Sequence, residues 1–150
     1  MRIYGFFRFG PLEAAYIRAR LYLPKLGIDR HAEFLIDTGA TRTTISDRDA
    51  LWLGIDYRRL QKTNASMGIG GSVASYVIKD VTLFFATEVG ELFQWSPGRI
   101  FAIRHKRVDE KVKRIPSILG RDFLNQFILL YSRENDTVLI TDESISSIKR

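Results

Sequence analysis

Phe34-Leu35-Ile36-Asp37-Thr38-Gly39-Ala40 carries three apolar residues straight into an acid, a hydroxyl and two of the smallest residues. The apolar half reads as a strand inside a core. A carboxylate delivered by such a strand is costly to desolvate without a partner, so the partner decides what the stretch does. Gly39 removes any side chain beside the acid and lets a second backbone approach. Thr38 adds a hydroxyl able to bond across that approach. These features fit a catalytic loop, while the plainer alternative is a strand end at which Asp and Gly make a turn. The heptapeptide alone leaves both open.

Composition narrows the field. A chain of 150 residues predicts one domain, 1–150, able to bury about 68–70% of its unfolded surface. With no Cys and only His31 and His105, a disulfide framework and a Cys/His zinc site are excluded by count. The apolar patch Ile3 to Phe7 is shorter than the core of a secretion signal. The longest apolar run elsewhere, Phe127 to Tyr131, falls far short of a membrane span. A soluble, cytoplasmic protein with no membrane partner is expected. The formal net charge of +6 favours acidic partners, but much of the excess sits between Arg99 and Arg114, seven basic residues against Asp109 and Glu110. That segment lies within a stretch 88–114 read as a basic insertion, of which Arg99 to Val108 is expected to form a strand pair with a solvated basic face, and nucleic acid is its less favoured occupant.

The elements near Asp37 follow from periodicity. Ala15 to Leu23 alternates as a half-buried strand, Pro24 to Arg30 reads as a loop, and His31 to Ile36 as the strand delivering Asp37. Ser46 is placed to cap a helix from Asp47 to Leu53 that Gly54 ends. Asn64 to Phe85 reads as a long hairpin with Gly68-Ile69-Gly70-Gly71 at its tip, then another strand. A phosphate cradle at those glycines lacks the Lys and Ser/Thr that end a P-loop. Ser117 to Gly120 reads as a buried strand, Arg121 to Gln126 as a short helix, and Ile128 to Tyr131 with Thr137 to Ile140 as a closing hairpin.

Three motifs now stand in order: Asp37-Thr38-Gly39-Ala40, Gly68-Ile69-Gly70-Gly71, and Ile118-Leu119-Gly120-Arg121. Together, over about 34–131, they resemble the retropepsin family of retroviral-type aspartic proteases. The resemblance implies an all-β, closed β-barrel with short helices after the active-site loop and after the Ile-Leu-Gly segment. It implies catalytic roles for Asp37, Thr38 and Gly39, substrate contacts from Ala40, Thr41 and a flap at Gly68, Ile69, Gly70 and Gly71, and structural roles for Gly120 and Arg121. No metal and no cofactor is implied. Retroviral members commonly carry an Asp after Asp-Thr-Gly-Ala, paired with the Arg of Leu-Gly-Arg, whereas this chain has Thr41, so Arg121 needs another partner.

Hydrolysis by carboxylates needs two of them in different protonation states, yet no second Asp-Thr-Gly or Asp-Ser-Gly occurs. A twofold homodimer placing Asp37 of each chain on its axis supplies both. The predicted activity is that of an aspartic endopeptidase on peptide or protein substrates. Two other classes fit parts of the pattern. Asp37, Gly39 and Thr41 satisfy the Asp-x-Gly-x-Thr of actin- and hexokinase-type ATPases, which need a larger two-lobed body. A catalytically silent protease-like dimer that binds peptide or nucleic acid would share the fold without the chemistry.

Overall fold

The computed structural model describes residues 1–8, 13–63 and 73–148, and they are mostly β. Strand β3, Ala15–Leu23, buries Ile17, Ala19, Leu21 and Leu23 on one face, as its alternation predicts. A 3-10 turn at Pro24–Leu26 closes on Gly27 at φ 66°, a region glycine enters without steric cost. Because that turn reverses the chain at once, β4, Ile28–Ile36, begins at Ile28 rather than at His31, with Ile28 opposite Leu23.

Beyond the Asp37 loop, β5 is the short Thr44–Ile45. Helix α1, Asp47–Leu53, has the predicted bounds: the Ser46 hydroxyl accepts from the Asp49 amide at 3.3 Å, and Gly54 at φ 78° ends it. Strands β6, Gln61–Thr63, and β7, Val73–Lys79, pair antiparallel, so the pairing reaches back before Asn64, where the expected hairpin begins, and the expected first arm, Asn64 to Met67, lies outside the described residues. The tip, Gly68-Ile69-Gly70-Gly71, lies outside the described residues as well. Asp80, at φ 53°, separates β7 from β8, Thr82–Ala86, which pairs with β9, Leu92–Trp95.

Arg99 to Val108 does not form the solvated strand pair expected of it. Between Arg99 and Val108 only Arg99–His105 is strand, β10, and it lies inside the sheet, antiparallel to β7 along its whole length and parallel to β5. The apolar run Ile100-Phe101-Ala102, all buried, outweighs the flanking charges and draws the segment into the core. The basic residues beyond it continue into a loop and a 3-10 turn, Val112–Arg114, anchored by buried Val112.

Strand β11, Ser117–Leu119, runs parallel to β4 with Leu119 opposite Ile36, and antiparallel to β5. The described ladder therefore reads β6-β7-β10-β5-β11-β4-β3-β8-β9, with β2, Phe6–Phe7, beside β3. Ile78 from β7 and Trp95 from β9 stand near opposite ends of that path yet share one core with Phe34, Phe85 and Phe123. The sheet must wrap around that core, which gives the barrel-like all-β architecture predicted. Phe123 comes from α2, Arg121–Leu124, and its ring lies 4.8 Å from Phe85 and 5.0 Å from Trp95. A second, three-stranded sheet joins β1, Arg2–Tyr4, to the closing hairpin of β12, Ile128–Ser132, and β13, Thr137–Thr141. The turn α3, Ile145–Ile148, follows. Among the described residues no helix is long and apolar enough to cross a membrane.

Candidate active site

Strand β4 ends at Ile36 and hands Asp37 to a loop held from three sides. The Asp37 amide donates to the Leu119 carbonyl at 3.1 Å, extending the β4–β11 ladder by one bond. The Gly39 amide donates to Asp37 Oδ1 at 2.8 Å and the Ala40 amide to the Asp37 carbonyl at 3.2 Å, so the turn closes on its own acid. The Arg121 amide then donates to the Ala40 carbonyl at 2.8 Å. Asp37 is half-buried, while Thr38, Gly39 and Thr41 are exposed. A carboxylate oriented by a backbone amide and presented at an open loop is placed to act on something brought to it.

Arg121 finds two partners in place of the missing acid. Its guanidinium donates to the Thr38 carbonyl at 2.8 Å and to the Thr41 hydroxyl at 3.3 Å. The planar fork of donors suits two acceptors at once, so the side chain ties the middle of the Asp-Thr-Gly turn to the start of α2. Gly120 is required for a different reason. A Cβ there would stand 2.7–2.9 Å from backbone atoms of Arg42, so only glycine lets β11 pass this close behind the loop.

Several supports were not read from the sequence. Asp122 accepts from both the Thr43 amide, at 2.9 Å, and the Thr43 hydroxyl, at 2.8 Å, and that oxygen in turn accepts from the Gly120 amide at 3.2 Å. Buried Ser117 donates to Asp49 at 2.6 Å and accepts from the Ser46 amide at 3.0 Å, fastening α1 to β11. Asp47 takes the His105 amide at 2.8 Å and meets its ring Nδ1 at 2.7 Å. Tyr57 donates to the Ile103 carbonyl at 2.7 Å, and burial pushes its phenol above the ordinary tyrosine range. The acid, hydroxyl and imidazole types were visible, but their pairing across the chain was not. Of the predicted site residues, Asp37, Thr38, Gly39, Ala40, Thr41, Gly120 and Arg121 are gathered at one place, and the four flap residues lie outside the described residues.

The sequence matches the aspartyl protease family over residues 25–123, which is more than half of the chain and spans from before the Asp37 loop to Phe123 in α2. The chain belongs to the aspartyl protease family. The fold is similar to that of a retropepsin-like aspartic protease from Rickettsia conorii, with a TM-score of 0.54 and 20% identity, covering 93% of this chain and 89% of that one. At that identity the likeness is one of fold, and it is retropepsin-like. Two further likenesses are the EIAV protease complexed with the inhibitor HBY-793 (TM-score 0.47, 17% identity, 79% and 91% covered) and the retroviral protease-like domain of Ddi1 from Leishmania major (TM-score 0.48, 14% identity, 88% and 97% covered). No curated protein matches the sequence.

Proposed function

We propose that this aspartyl protease is an endopeptidase that works as a homodimer, each subunit giving Asp37 to a shared dyad. The observation that carries the reading is a single Asp-Thr-Gly whose half-buried carboxylate is oriented by the Gly39 amide on a loop fixed by Leu119 and Arg121. Two such carboxylates brought together cannot both ionise readily, so one is charged and one protonated. The ionised Asp37 takes a proton from water as the water oxygen adds to the carbonyl carbon. The partner's Asp37 gives its proton to the carbonyl oxygen. The resulting gem-diol then collapses: one of its hydroxyls returns a proton to the charged carboxylate as the amide nitrogen takes the proton of the other carboxyl and the C–N bond breaks, which leaves an acid, an amine and a dyad again holding one proton. Thr38 bonds across the twofold axis, Gly39 lets substrate backbone approach, and Ala40 and Thr41 line the same edge. Arg121 acts as a positioning residue, holding the Thr38 carbonyl so that the turn keeps its shape.

A mixed peptide library tests this. Purified protein should yield defined cleavage products, and Asp37→Asn should abolish them while the melting temperature stays within about a degree or two, because an isosteric amide on a half-buried loop leaves the core intact. Equal cleavage by the variant would remove Asp37 from the chemistry.

A further inference from the structure

Among the described residues, three cations cross the sheet on one face with no carboxylate in ion-pair contact: Lys79 on β7, Arg99 on β10 and Arg42 just before β5. Their placement follows from register. Lys79 lies directly opposite Arg99, and Phe101, two residues on, lies opposite Thr44 in the parallel ladder to β5. Side chains two apart share a face, which brings Arg42 beside Arg99. The ring of Phe101 records the result, with the Arg42 guanidinium 4.4 Å and that of Arg99 5.8 Å from its centroid.

Like charges opposite each other on paired strands repel, and neighbouring strands commonly answer with an acid. This chain does so elsewhere: Arg20 meets Asp29 and Arg18 meets Glu33. Here it does not. Asp80, next to Lys79, is taken by Lys25, and Asp122, bonded to Thr43 next to Arg42, is taken by that amide and hydroxyl, while the undescribed segments contain neither Asp nor Glu. Stacking on Phe101 holds a guanidinium by its face and leaves its N–H edge free to grip a carboxylate with two parallel bonds. Arg42 is also fixed at its backbone, since Gly120 packs directly against it, and it lies five residues beyond Asp37 on the same loop.

We infer that the stripe Arg42, Arg99 and Lys79 selects acidic side chains on the substrate segment that flanks the bond held at Asp37. This inference rests on the proposed endopeptidase reading. Cations on β7, on β10 and just before β5 span about 10 Å, the length of about three residues of extended peptide, so the preference should fall on one or two adjacent subsites. A peptide is favoured over nucleic acid because the stripe starts on the catalytic loop itself.

The test compares matched peptides carrying Glu or Gln at each position around a cleaved bond. The wild-type protein should cleave the Glu peptide with a kcat/KM about tenfold or more above its Gln match at one or two positions, as charge-assisted bonds to guanidinium imply. Arg42→Glu with Arg99→Glu should erase or invert that ratio, chiefly through KM, while Arg42→Lys should retain part of it. Lys79→Glu, an exposed change, gives a second reading should the double variant fold poorly. Anisotropy with non-hydrolysable Glu and Gln peptides separates the two levels of argument. Tighter binding of the Glu peptide that the double variant loses supports the stripe even in the absence of cleavage, in which case the endopeptidase reading alone fails. Cleavage with equal kcat/KM for Glu and Gln peptides overturns the stripe and leaves the endopeptidase reading standing. Binding of a single-stranded oligonucleotide lost in the double variant, with no discrimination between peptides, overturns it in favour of nucleic acid.

Discussion

Gly120 and Gly39 are both glycines beside the same loop, and their surroundings predict different failures. A Cβ at Gly120 meets backbone atoms of Arg42 at 2.7–2.9 Å, which cannot rotate away. Gly120→Ala should therefore cost about 1–3 kcal/mol, the usual range for overpacking, read as a lower denaturation midpoint at unchanged slope. A Cβ at Gly39 meets Asp37 Oδ1, a side-chain atom, at 3.1 Å. Gly39→Ala should move the carboxylate and reduce turnover much more than it reduces stability. A Gly39→Ala protein with full kcat would show that the amide of Gly39 does not set the acid's working geometry. These two glycines were legible because each stands within two residues of one that gives it meaning, Asp37 or Arg121. Asp122 with Thr43 and Asp47 with His105 were not, since the partners lie 79 and 58 residues apart in the chain and local pattern carries no information about such pairs.

At the scale of elements, the same distinction between local and distant signals explains what could be read. The bounds of β3 and α1 follow from alternation and from Ser46 and Gly54, all contained within each segment. The central position of β10 depends on pairing with β5 and β7, so its flanking arginines dominated the sequence pattern and suggested a solvated face. The role of β1 was invisible because its partner β13 lies at the other end of the described chain. The ties between elements can be tested directly. Asp122 joins α2 to the entry of β5, and Asp122→Ala would leave the buried Thr43 without an acceptor for its amide and hydroxyl. A loss of about 1–3 kcal/mol is expected, and a change within about 0.5 kcal/mol, ordinary for a surface site, would show that water replaces the carboxylate. The β1–β13 junction should respond to pH. Arg2 donates twice to Glu143 at 2.9 Å, and those bonds hold the Glu143 carboxyl below the usual glutamate range. A folded value below the unfolded one means that the contribution is complete above the unfolded value and disappears as pH falls through the folded one. The protection factor of the Gly5 amide, bonded to the Val138 carbonyl at 2.9 Å, should drop as the medium is taken below pH about 4, relative to core amides in β3. In Glu143→Gln that extra drop should vanish, and an identical profile in both proteins would detach the salt bridge from the stability of β1.

At the scale of the whole molecule, the proposed chemistry demands more than one chain contains. The Asp37 loop is complete as a structure, with its acid oriented and its turn supported by β11 and α2, yet it presents one carboxylate of the required kind. Asp122, the next acid along the same network, is committed to Thr43. If two copies of Asp37 make the dyad, assembly and activity are linked by mass action, and specific activity should fall on dilution with the same midpoint as the dimer seen by sedimentation. Dilution alone could also reflect loss of protein to surfaces, so the decisive measurement mixes subunits. Wild-type chains equilibrated with an equal amount of Asp37→Asn chains should form about a quarter wild-type dimers, by random assortment in an isologous pair. A dyad built from both subunits then leaves about half of the activity per wild-type chain, and a large excess of the variant should extinguish it. Activity per wild-type chain that stays constant at every mixing ratio would mean that one Asp37 suffices, and the shared dyad would have to be abandoned.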